Sequence, residues 1–146
     1  PYSLVLNALI DSIRGGGMLQ RTTIYYFREA PGEWLARDPA RLHVEPTAAV
    51  LDRLADDSPV LVVSDTGAAQ RTYSAERRQA IEDFWAELRR HTRLAAWLNP
   101  TPPIRWPRTT AEYVRQVAPM FPLTREGVLA IIRVLRGQPV AVGKRG

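Results

Sequence analysis

The residues best placed to do chemistry are Ser64, Asp65 and Thr66, which with Gly67 close the apolar run Pro59-Val-Leu-Val-Val63. An apolar run that ends abruptly in a carboxylate, a hydroxyl pair and a glycine reads as a buried strand delivering Asp65 to a site. Consecutive β-branched and aliphatic residues are what a strand covered on both faces by helices requires, since a strand with one wet face would alternate. In open α/β sheets ligands gather outside the carboxyl ends of the strands, where such a strand would deliver Asp65. Each residue also has a purely local use. An aspartate at a strand end can close its own turn, hydroxyls beside a turn satisfy neighbouring backbone groups, and Gly67 supplies backbone freedom.

Rival chemistries are poorly provided for. Asp65-Thr-Gly-Ala68 resembles the active-site phrase of aspartic proteases, where two carboxylates share a proton. Those enzymes are all-β, whereas a long amphipathic helical pattern follows here. A hydrolase built on Asp65 is therefore the lesser alternative. His43 and His91 have no companions at ligand spacing, and the chain has no cysteine. Gly15-Gly-Gly17 ends a helical pattern instead of opening one, so it lacks the geometry of a phosphate loop.

The elements that must position Asp65 can be read in order. A helix is expected over Tyr2–Arg14 and a strand over Thr22–Phe27. The connection from Glu33 to Glu45 reads as loop with a short helical turn. A helix opens at Pro46-Thr47 and runs to about Leu54, and the Asp65 strand follows it. Ser74 is placed to cap a long helix with the stripe Ala80, Ile81, Phe84, Trp85 and Leu88. Leu94–Leu98 is a second buried strand with Trp97 in the core. The segment Thr101–Arg108 has too many prolines for regular structure. Thr109-Thr-Ala-Glu112 has capping-box spacing and begins a helix to about Ala118. Met120–Leu123 is a short edge strand, and Thr124 caps a last helix stopped by Gly137. Strands alternating with helices predict a three-layer, Rossmann-like α/β fold with a mostly parallel sheet. Residues 1–137 are expected to form one domain, with 138–146 a flexible basic tail.

At 146 residues, 45% hydrophobic and 24% charged, the chain has an ordinary globular composition. No apolar run reaches the roughly 18 to 20 residues that span a bilayer. With no cysteine, this points to a cytoplasmic location. The net charge of +5 is carried by the second half, where residues 66–146 hold 14 basic and 6 acidic side chains. Nineteen of the 20 basic residues are Arg. Such a surface is mainly a solvated, Arg-biased one, with binding of anions or nucleic acid as the alternative reading.

Three phrases taken in order resemble the C-terminal part of a von Willebrand factor A domain, in the CoxE-like branch of uncharacterised bacterial proteins. They are Val60–Ala69; Trp97–Pro102 with Arg105-Trp106 and Thr109-Thr110; and Met120–Leu123 with Leu135–Gly137. The resemblance covers nearly the whole chain. It implies a protein-interaction module, not an enzyme, with a metal-ion-dependent adhesion site holding Mg²⁺ or a similar cation. Asp65 matches that site's aspartate and Thr47 its threonine, with Ser64, Thr66 and Gly67 at the edge. The site's Asp-x-Ser-x-Ser phrase and the first strand are absent, and the family would place both before Pro1. On this reading the fold is incomplete at its N-terminus. The resemblance suggests a MoxR-type AAA ATPase as partner. Trp34, Arg105 and Trp106 are candidates for the partner surface, although tryptophans in irregular segments such as Trp34 and Trp106 serve more often as core staples than as exposed anchors.

Overall fold

A computed structural model describes residues 23–138 of the chain. The expected helix over Tyr2–Arg14 and the tail beyond Gln138 lie outside the described residues. The elements are β1 (Trp34–Ala36), β2 (Val44–Pro46), α1 (Thr47–Asp52), β3 (Val60–Val63), α2 (Ala75–His91), β4 (Ala95–Asn99), a 3-10 turn (Pro103–Arg105), α3 (Thr110–Val114), β5 (Met120–Pro122) and α4 (Arg125–Leu135). β1 and β2 pair antiparallel, while β3, β4 and β5 form a parallel sheet in that order. This is a small α/β fold with parallel and antiparallel sheets flanked by helices.

β4 is the middle of the parallel sheet, and all five of its residues are buried. Its alternation divides the core in two. Ala95 and Trp97 face a cluster with Ile81, Trp85 and Leu88 of α2, Val114 of α3, Leu51 of α1 and Val62 of β3. Ala96 and Leu98 face Ile131 and Leu135 of α4 on the other side. Trp97 is fully buried, tilted against Trp85 at a centroid separation of 6.1 Å. The helix caps follow the sequence closely. Ser74 Oγ accepts from Arg77 N at 3.1 Å, Thr124 Oγ1 accepts from Gly127 N at 3.0 Å, and Gly137 ends α4 at φ 72°. Each cap satisfies amides or carbonyls that the helix itself leaves unpaired.

Several expectations need correction. The run Val60–Val63 is not covered like a central strand: only Val62 is buried, and among the described residues β3 pairs on one side alone. The segment 33–45 is not loop with a helical turn but most of a hairpin. Its turn is tied by Asp38, whose carboxylate accepts from the amides of Leu42 at 3.0 Å and His43 at 2.8 Å. Of the strand expected over Thr22–Phe27, the described residues keep only an isolated bridge between Tyr26 and Ala36. The proline-rich segment contains one 3-10 turn. α3 stops at Val114, and Glu112 bonds the amide of Arg108, so the capping box is not reciprocal.

One glycine fixes how α4 meets the sheet. A Cβ on Gly127 would stand 2.0 Å from the Pro122 carbonyl oxygen, because the first turn of α4 folds directly back onto the end of β5. Gly127→Ala should therefore cost about 3 kcal/mol in chemical denaturation, the upper range for overpacking. Gly32, with nothing within 4 Å of an added Cβ, should accept alanine with little change. Equal effects of the two substitutions would refute the packing argument.

Candidate functional site

β3 ends at Val63, and the chain leaves the sheet through Ser64, Asp65, Thr66 and Gly67. Two buried side chains of β4 hold this exit. Trp97 Nε1 donates to the Ser64 carbonyl at 3.0 Å, and Asn99 Nδ2 donates to the Asp65 carbonyl at 3.1 Å. Asn99 is fully buried, and its Oδ1 accepts from Thr101 N at 2.9 Å. One amide side chain thus ties the loop after β3 to the loop after β4. The sequence pattern places Asn99 at a strand end but carries no sign of this role, which depends on a partner 34 positions away.

The turn itself is a reversal through left-handed backbone. Thr66 has φ 47° and Gly67 φ 86°, and Ala68 N donates to the Asp65 carbonyl at 2.9 Å. Two successive positive φ values with this bond have the signature of a type I′ turn. A β-branched residue rarely adopts this region, at a cost on the order of 1–3 kcal/mol. Local hydrogen bonds offset the strain: Ser64 Oγ accepts from Thr66 N, and Thr66 Oγ1 donates to the Asp65 carbonyl. Gly67 is required by its φ and by space, since a Cβ would lie 2.8 Å from the Thr72 carbonyl oxygen.

The Asp65 carboxylate is partly buried and accepts from Gly67 N through Oδ1 at 3.0 Å. Among the described residues its Oδ2 has no partner. Thr47 is buried at the start of α1, where its hydroxyl donates to the Gly32 carbonyl at 2.6 Å. No hydrogen bond joins it to Asp65. An indirect connection exists, because Arg77 Nη2 lies 3.4 Å from Glu29 and Arg77 Nη1 lies 3.1 Å from where a Gly67 Cβ would stand. The segment before β1 therefore rests beside the Asp65 turn through Arg77.

Mg²⁺ takes six oxygens in a nearly octahedral array. Among the described residues of the turn Asp65 Oδ2 is uncommitted, whereas the hydroxyls of Thr47, Ser64 and Thr66 are engaged with backbone. No group of three or more His, Cys, Asp or Glu residues that could hold a metal occurs among the described residues. The donor set described does not by itself fit the cation.

The candidate partner surface is divided. Trp106 is buried, 4% exposed, with Nε1 donating to the Thr101 carbonyl at 2.7 Å and its ring against Ala68 and Ala111. It is a staple beneath the site and not a surface anchor, because the 3-10 turn folds it inward. Arg105 is exposed beside Ile104, which is 87% exposed. Trp34 is 56% exposed and shares the outer face of the hairpin with Val44 and Pro46, as their register requires. The opposite face carries Glu45, paired with Arg53 at 2.6 Å and Arg37 at 2.9 Å, which hold its carboxyl below the usual range.

Two outcomes follow. Asn99→Ala removes the oxygen to which Thr101 N donates and one of three donors to the Asp65 carbonyl, beside Ala68 N and Thr66 Oγ1, and should destabilise the protein by about 1–3 kcal/mol, with faster amide exchange at Thr101 and Ala68. Unchanged exchange there would contradict the bridging role. The Leu42 and His43 amides, helped by His43 itself, also depress the Asp38 carboxyl. A group whose folded pKa lies below its unfolded value stabilises above the unfolded value and ceases to do so as pH falls through the folded one. The Leu42 and His43 amide resonances should therefore move to loop-like positions only below about pH 4. A transition near neutrality would contradict this assignment. The chain matches no protein-family model, no curated protein and no solved structure.

Proposed function

We propose that this chain is a protein-interaction module of von Willebrand factor A-like build, whose partner takes the Asp65 turn and the outer face of the β1–β2 hairpin. The observation that carries the reading is the buttressing of Asp65. Its backbone is locked from below by Asn99 and its Oδ1 closes the turn, while Oδ2 is left over at the carboxyl end of a parallel sheet. Such a carboxylate is pre-organised for an incoming donor or a shared cation. Pre-organisation of this kind lowers the ordering cost of binding.

Two further features support the reading. Trp34, with Val44 and Leu42, is a large apolar group held in solvent on a short hairpin, and tryptophan is the residue most enriched at binding hot spots. The resemblance places another strand beside the Asp65 strand, and the outer edge of β3 has no strand partner among the described residues. The partner class suggested by the resemblance is a MoxR-type AAA ATPase. A cation at Asp65 would need oxygens beyond those described, so the binding argument uses the carboxylate alone.

The test is the affinity of the full chain for a purified MoxR-type ATPase from the same genome. Asp65→Asn and Trp34→Ala, both expected to leave the fold intact, should each weaken binding tenfold or more, about 1.4 kcal/mol. Binding that neither substitution alters, or no binding by the unsubstituted chain, would overturn the assignment.

A further inference from the structure

The opposite, amino-terminal end of the parallel sheet holds a cleft of about 540 Å³, within the range of small-molecule sites. Trp85 and Arg89 of α2, Arg93 and Leu94 before β4, Val117 before β5 and Val134 of α4 line it. Leu94 and Trp85 are nearly buried and form its floor, whereas Val117 is half exposed at its rim. The apolar wall is joined by two guanidinium groups and no acidic side chain.

Those guanidiniums are under-used. Arg89 donates one bond, from Nη1 to the Arg93 carbonyl at 2.8 Å, which fixes its head at the cleft. Arg93 reaches across to the end of α4, with Nη1 3.5 Å from where a Gly137 Cβ would lie. Neither is paired with a carboxylate among the described residues, although Arg90 and His91 nearby both lie within ion-pair distance of Glu87. A cation at the C-terminal end of a helix is favoured by the helix dipole, which accounts for Arg89 being there. It does not account for a second arginine, Arg93, lining the same apolar cleft with neither guanidinium in an ion pair among the described residues. Arginine forks match planar carboxylates and form charge-assisted bonds with them.

We propose that this cleft is a binding site for a small amphipathic carboxylate, with the carboxylate on Arg89 and Arg93 and the apolar body against Leu94, Val117 and Val134. The site is separate from the Asp65 turn and does not depend on the function proposed for it. Recognition needs both halves of the ligand, since apolar contact alone ignores charge and a charge alone would be screened by salt.

The test titrates octanoate into the full chain and follows backbone amide resonances together with tryptophan fluorescence. Saturable shifts are expected at Arg93, Leu94, Ala95, Val117 and Gly137, with octan-1-ol binding at least tenfold more weakly. Arg93→Gln should reduce octanoate affinity tenfold or more, while Arg125→Gln, at the far end of α4, should leave it unchanged. Val117→Glu keeps both guanidiniums and places a carboxylate at the rim, and it should abolish binding. The proposal is overturned if octan-1-ol binds as well as octanoate, if Arg93→Gln and Arg125→Gln behave alike, or if the shifts do not saturate or fall elsewhere.

Discussion

The Asn99 side chain is the contact on which the carboxyl end of the sheet depends. It ends the fully buried central strand, where an unpaired amide would cost about 1–3 kcal/mol, so its partners are effectively obligatory. Those partners include the Asp65 carbonyl and the Thr101 amide, one on each loop leaving the sheet, beside the Met120 sulfur at 3.4 Å. Trp97 repeats the device one step inward through the Ser64 carbonyl. With the backbone fixed from within the core, Thr66 can be held in a conformation it would not choose. The Asp65 carboxylate is needed only in part to close its own turn.

The two ends of the parallel sheet consequently differ in chemistry. The carboxyl end presents one carboxylate on a strained, buttressed turn, with the buried Trp106 beneath it. The amino end presents two arginines over an apolar cleft. The central strand reaches both: Ala95 at one end, with Leu94 just before it, lines the cleft, and Asn99 at the other holds the turn. Two of the arginines that make up the excess of positive charge in the second half of the chain, Arg89 and Arg93, line that cleft while remaining exposed.

Local signals were legible in the sequence, and lateral ones were not. Ser74, Thr124 and Gly137 act within a few residues of themselves, so their types and spacing suffice to place the ends of α2 and α4. The alternation of strand and helix similarly foretold the parallel sheet. The run Val60–Val63 announced a strand but neither its burial nor its place in the sheet, because an apolar run reports strand propensity and not what covers the strand or how many neighbours it has. The hairpin was missed because its strands have three residues each, too few for alternation to register. Trp34 and Trp106 look alike in sequence, both in irregular, proline-flanked segments. Only the inward fold of the 3-10 turn separates an exposed anchor from a buried staple. Gly127 and Asn99 owe their roles to groups brought close by the tertiary fold, which no periodicity encodes.

The central claim is that a partner contacts a pre-formed Asp65 turn. The most direct measurement is amide hydrogen exchange of the full chain with and without the MoxR-type ATPase. The account predicts slow exchange at Ala68 already in the free chain, with added protection on binding confined to residues 64–69 and the hairpin around Trp34. Rapid exchange of the turn in the free chain, or protection that leaves both segments untouched, would contradict it.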